Sequence, residues 1–153
     1  MTLAEILKLV HVVAVIIWLG GSFMLGFILE RAQASEDEAT VLGVTKMAEF
    51  IGKAVFNPAG IITLLAGIWL VIEADYEFSE AWISIGFLGV ALGAILGMAF
   101  YPKALKAVED GIEADGLLSN DTLGALRKLR LVSTVEWLLL IVVVWAMVFK
   151  PGA

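Results

Sequence analysis

The stretch Leu9-Val10-His11-Val12-Val13-Ala14-Val15-Ile16-Ile17-Trp18-Leu19-Gly20-Gly21-Ser22-Phe23-Met24-Leu25-Gly26-Phe27-Ile28-Leu29 contains no Asp, Glu, Lys or Arg. A helix rises about 1.5 Å per residue and the hydrocarbon layer is about 30 Å thick, so about 20 apolar residues cross it. Ala54–Ile72 and Ala81–Tyr101 have the same character, as does Leu131–Phe149 apart from Glu136. A soluble helix keeps a polar face for water, which these runs lack. Inside lipid every backbone N–H and C=O must be paired within the protein, and without the alternation of a closed barrel only helices remain. The chain therefore reads as an all-α, polytopic membrane protein. Its expected form is an up-down bundle of four transmembrane helices over about 4–30, 52–73, 80–102 and 129–149, in one integral membrane domain, 1–153.

The composition agrees. Hydrophobic residues make up 61% and charged residues 17%, against about a quarter charged in ordinary globular chains. With no cysteine, disulfides, thiolate catalysis and cysteine-held metals are excluded. A formal net charge of −6 argues against nucleic acid as a partner. The expected partners are the lipid bilayer and either further copies of the chain or a partner membrane subunit. Ala32-Gln33-Ala34 resembles a signal-cleavage site, but the preceding apolar run exceeds the usual length of about 7–15 residues, and Glu30 and Arg31 intervene. The segment reads as a retained helix.

Basic residues set the orientation. If the helices alternate, the first and third connections share a side with Arg31, Lys46, Lys53, Lys103, Lys106, Arg127, Lys128 and Arg130. The opposite side has only Lys8 and Lys150. The positive-rich side faces the cytoplasm, which places both termini in the periplasm of a bacterial inner membrane.

The long connections carry helical signals. Ser35-Glu36-Asp37-Glu38 reads as a capping box with Ser35 at the N-cap, opening a helix from about Glu36 to Glu73. Pro58 should kink that helix. The third helix should run past Pro102 towards Asp115, and Ser119-Asn120-Asp121 should cap the fourth. These extensions form a cytoplasmic helical skirt around the four-helix core. Gly86, Gly89, Gly93 and Gly97 align on the third helix, a small-residue row that favours close helix–helix contact.

Few polar groups enter the apolar spans: His11, Asn57, Glu136 and, less polar, Trp18, Ser22 and Thr63. Ionisable groups there are costly and mark candidate sites. His11 shares a stripe with Val15, Trp18, Ser22 and Leu25 that should face the interior. Its imidazole can ligate iron, move a proton or bond a neighbouring carbonyl. Zinc needs three or four protein ligands, whereas haem iron needs one or two. Glu136 lies towards the opposite end of the bundle from His11 and can snorkel or pair with Arg130 or Lys53. Asn57 can bond backbone freed by Pro58, and Trp69, Trp82 and Trp145 read as an interfacial belt.

Lys8-Leu9-Val10-His11 through Trp18-Leu19-Gly20-Gly21 resembles the first helix of the HemJ-type membrane protoporphyrinogen oxidases and of the CopD-like membrane proteins. Phe56-Asn57-Pro58-Ala59-Gly60, with Ala66-Gly67-Ile68-Trp69-Leu70, is similar to the second HemJ helix, and Arg127–Glu136 with Val148-Phe149-Lys150-Pro151 to the last. The chain also resembles a set of short, uncharacterised bacterial integral membrane proteins that share the Pro58 segment and the Lys150-Pro151 end. The resemblance implies haem b held through His11 and carries Glu136 onto a family glutamate. Trp82-Ile83-Ser84-Ile85-Gly86 lacks the lysine and histidine that HemJ proteins place there, so oxidase activity stays open. The sixth position is expected to be empty, filled by a partner subunit or taken by a thioether, of which Met147 is the best on depth; His11, Met147 and Trp18 make up the expected haem-binding set. The functional expectation is a haem-binding membrane protein with a redox or porphyrin-related role. The alternative is a non-catalytic scaffold or accessory subunit that docks partner helices without a cofactor.

Overall fold

The computed structural model describes residues 1–152. Four long helices account for nearly all of them: α1 Leu3–Gln33, α2 Glu38–Glu73, α3 Ala81–Asp115 and α4 Asn120–Phe149. At 30 to 36 residues they measure about 45–54 Å, longer than the hydrocarbon layer. Each carries a window apolar enough to span it, and their outward faces are apolar, with residues such as Phe23, Leu65, Leu88 and Leu138 exposed.

The chain order is also the packing order. Contact is most extensive between α1 and α2, then between α3 and α4, while α1 and α4 close the ring more sparsely. Two ends can be distinguished by what they carry. The terminal end holds both chain termini and the α2–α3 connection; the loop end holds the α1–α2 and α3–α4 connections. At the loop end Ala32, Val41, Val108, Ile112, Leu117 and Leu126 form a buried cluster, and Leu29, Ala48, Leu105 and Leu129 a second one beneath it. Val71, Trp82, Ile83 and Ala146 close the terminal end.

Ser119 caps α4 as the sequence suggests, accepting the Thr122 N–H at 3.2 Å. The start of α2 differs from the expectation. Asp37, not Ser35, is its N-cap, with extended backbone and a carboxylate that accepts the Thr40 N–H at 3.0 Å. Glu36 has a positive φ of 54°, which ends the first helix's final turn, and Ser35 belongs to that turn through a 2.6 Å bond to the Ala32 carbonyl. Glu38 turns away from Ser35. Its Oε1 accepts the Leu117 N–H at 2.9 Å and ties the two long connections together.

Three helices contain one π turn each: Ile16–Gly20, Gly52–Phe56 and Leu96–Phe100. The second and third directly precede Asn57-Pro58 and Tyr101-Pro102. Proline donates no N–H and crowds the preceding turn, and a wider turn relieves both. The amides of Asn57 and Tyr101 accordingly donate to Gly52 and Leu96, five residues back. In α1 no proline is present; the wide turn there ends at Gly20 and Gly21 follows it.

Candidate intramembrane site

The interior is built on large side chains seated against glycines. Trp18, 8% exposed, crosses from α1 so that its ring lies against Gly93 of α3 and Gly60 of α2. A Cβ at Gly93 would stand 2.5 Å from the indole, which explains why only hydrogen fits there. The rest of the α3 row behaves alike: Gly86 meets the Met147 methyl, Gly89 meets Val143 and Gly97 meets the Asn57 amide oxygen. The row therefore receives side chains from three helices rather than bringing two backbones together, and the most extensive helix pair is α1–α2.

From Trp18 to the loop end, this packing leaves a cavity of about 270 Å³. Its wall is mostly apolar, and all three π turns contribute to it, through Trp18, Phe56 and Met98 among others. Ile61 and Met98 line its α2–α3 side and are themselves exposed, so the cavity opens between those helices towards lipid. Its polar groups are Ser22, Asn57, Tyr101, Ser133 and Glu136, with Glu49 and Lys53 at the exposed margin. π turns recur at functional sites because they re-aim side chains without ending a helix.

Glu136 is the centre of this polar wall. It is 3% exposed, and Tyr101 donates its hydroxyl to Oε2 at 2.5 Å. The same phenol lies 3.1 Å from Ser133 Oγ, one helical turn before Glu136. Neither expected basic partner reaches the carboxyl. Arg130 pairs with Glu30 at 3.1 Å, and Lys53 pairs with Glu49 at 2.6 Å. Asn57 likewise departs from its expected role: its side chain turns to Gly97, and the π turn accommodates Pro58.

His11 sits elsewhere. Its Nδ1 lies 2.9 Å from the Thr63 carbonyl, and its ring rests on Gly67 of α2. A carbonyl only accepts, so Nδ1 carries the proton and a neutral ring keeps its lone pair on Nε2. Met147 faces Gly86 of α3 and joins the Val71–Trp82 cluster. His11 and Met147 thus pack against different helices, and neither lines the cavity.

Trp82 also departs from its belt assignment. It is 6% exposed, with Tyr76 edge-on at 5.1 Å and Lys150 Nζ 4.9 Å above its ring. Trp69 and Trp145 are about half exposed. Tyr101 and Ser133, the partners of Glu136, carried little signal in the sequence beyond the Ser133–Glu136 spacing, which puts both on one helix face.

Fold and site together define a four-helix, multi-pass integral membrane protein with a mostly apolar cavity that carries a few polar groups. The chain belongs to the DUF2269 family of predicted integral membrane proteins, whose family model matches residues 5–151. No curated protein and no solved structure matches it.

Proposed function

We propose that the chain is an intramembrane binding protein that admits a small amphipathic molecule from the bilayer into the cleft between α2 and α3. One observation carries the reading: a buried carboxyl, Glu136, stands with Tyr101 and Ser133 on the wall of an otherwise apolar cavity that opens to lipid. An ionisable group inside the membrane costs a few kcal/mol and marks function by default. A few converging polar groups in an apolar cavity are the ordinary make-up of a ligand site, and about 270 Å³ lies just below the usual range of such sites, which starts at about 300 Å³. The test is photolabelling in phosphatidylcholine nanodiscs with a diazirine-bearing octanol, mapped by mass spectrometry. Saturable labelling of α2 and α3 around Ile61 and Met98, abolished by Ala94→Trp with helicity retained, is the expected result. Diffuse, unsaturable labelling that Ala94→Trp leaves alone overturns the reading.

In this reading the loop end faces the cytoplasm, because it gathers eight of the ten Lys and Arg residues. The helical extensions beyond the apolar windows then form the cytoplasmic skirt, and both termini are periplasmic. Alkaline phosphatase should be active when fused after Pro151 and silent near Ser119; the opposite pattern reverses the orientation.

A second reading, haem b on His11 with a redox or porphyrin-related role, is favoured by the Nδ1 bond to Thr63, since metal-bound imidazoles are commonly oriented by such a bond. Haem would add redox chemistry; the protein's part is to hold the ring. Met147, which contacts Gly86 in the same half of the bundle as His11, is the thioether candidate for the sixth position in this reading. A Soret band that His11→Ala abolishes supports this reading, and a colourless parent expressed with haem precursor removes it. The scaffold alternative, in which partner helices or further copies dock on the bundle without a ligand, gains if neither probe binds.

A further inference from the structure

We infer that the group recognised by the cavity is a primary ammonium on a short aliphatic chain, a proposal that rests on the binding reading above and specifies its ligand. The argument starts from what Glu136 lacks. Its Oε2 is taken by the Tyr101 hydroxyl, while no described group hydrogen-bonds Oε1, although the residue is 97% withdrawn from solvent by its 3% exposure. Glu136 belongs to the cavity lining, so this second oxygen is the carboxyl's open acceptor there.

Charge completes the case. The lysine on the cavity margin, Lys53, is held by Glu49 at 2.6 Å, and Arg130 is held by Glu30 at 3.1 Å. Each of these neighbouring cations has its own carboxylate, so any cation that pairs with Glu136 comes from outside the chain. A buried carboxylate is costly alone and greatly relieved by a hydrogen-bonded cation. The remaining wall suits an ammonium as well. Ser22, Ser133 and the Asn57 amide provide acceptor oxygens for its other N–H groups, and the Trp18 ring offers an electron-rich face. A carboxylate or phosphate ligand would meet Glu136 with like charge, and an alcohol would leave the charge uncompensated. The apolar remainder of the wall, out to Ile61 and Met98, takes the aliphatic chain.

The experiment uses the same diazirine-bearing octanol at neutral pH and measures how octylamine, octanol and octanoate compete for its saturable labelling. Octylamine should compete at least tenfold more strongly than octanol, and octanoate least. Glu136→Gln, which keeps the size and the acceptor for Tyr101, should bring octylamine down to the level of octanol. Equal competition by octylamine and octanol in the parent, or an undiminished octylamine preference in Glu136→Gln, overturns the ammonium assignment while saturable labelling preserves the binding reading. Absence of saturable labelling removes both. A final arm replaces part of the phosphatidylcholine with phosphatidylethanolamine. Unchanged octylamine competition makes the ligand a free amine, and displacement assigns the same ammonium site to a lipid headgroup.

Discussion

The terminal half and the loop half of the bundle use glycine in the same way and end with opposite results. In the terminal half each glycine seat is filled by the side chain that faces it: His11 on Gly67, Met147 on Gly86, Val143 on Gly89. In the loop half Trp18 and Asn57 occupy Gly93 and Gly97, yet a cavity remains beside them. The difference lies in the backbone. The π turns begin at similar depths, 13, 17 and 15 residues in from the terminal end (3 to 16, 73 back to 56, 81 to 96). Below that level, three of the four helices change phase, so the side chains that would fill the centre no longer point at it. A wide turn costs little when proline has already removed the amide that a regular turn would use. The terminal half fills its glycine seats without leaving such a space; the loop half carries two of the three buried clusters and still encloses the cavity.

The strongest way to break this comparison is to add one methyl group on each side of it. At Gly93 a Cβ would lie 2.5 Å and 2.7 Å from two atoms of the Trp18 indole, a rigid ring held also against Gly60. At Gly86 it would lie 2.1 Å from the Met147 methyl, the free end of a flexible chain. Overpacking a rigid contact costs about 1–3 kcal/mol, whereas an unbranched thioether moves aside. Gly93→Ala should therefore lower unfolding stability by about 2 kcal/mol and Gly86→Ala by less than about 1 kcal/mol, measured by denaturant titration in mixed micelles. Equal costs would mean that the indole has room to move and that the loop half is not ordered around Trp18.

Hydropathy made the four helices legible, and the Ser119 cluster made one cap legible, because both are local properties. Depth was legible too, since it grows by a constant rise per residue. Facing was not. Met147 was placed correctly in the same half as His11, but its direction depends on about 100° of rotation per residue and on how α3 and α4 are turned against each other. The π turns in α2 and α3 had a local cause in Pro58 and Pro102; the one in α1 had none. Tyr101 reaches Glu136 from 35 residues away in the chain, a pairing that no local pattern encodes. Trp82 read as a belt residue because composition cannot distinguish a ring at the lipid surface from one enclosed by Tyr76 and Lys150.

That enclosure supplies a smaller test on the terminal side. Lys150 takes a left-handed backbone at the end of α4 and donates to the Tyr76 hydroxyl at 2.6 Å with its Nζ 4.3 Å above that ring. Cation–π contacts contribute about 0.5–1 kcal/mol at partly open sites. Lys150→Met, which keeps the apolar stem, should cost about 1 kcal/mol and free the Tyr76–Trp82 pair, seen as a change in near-ultraviolet circular dichroism. Octanol labelling of the cavity should not move. If labelling falls along with stability, the two halves are coupled and cannot be treated as separate parts.

The smallest expected effect concerns the start of α2, and it separates the cap the structure contains from the one the sequence suggested. Asp37 Oδ2 accepts both the N–H and the hydroxyl of Thr40, while Ser35 closes the preceding turn. These bonds from Thr40 hold the Asp37 carboxyl below its ordinary range. A carboxyl depressed in the folded state stabilises it at pH values above the unfolded pKa, and that contribution is lost as pH falls through the folded one. Asp37→Ala should therefore speed hydrogen exchange at the Thr40 amide near neutral pH, and the gap from the parent should narrow in acid. Asp37→Asn keeps a cap without a titrating group, so its exchange protection should lack that acid-dependent loss. Ser35→Ala should leave the Thr40 amide nearly unchanged. A larger effect from Ser35→Ala than from Asp37→Ala would return the cap to Ser35, and with it the longer α2 that would draw Glu38 away from Leu117 and loosen the loop end beneath the cavity.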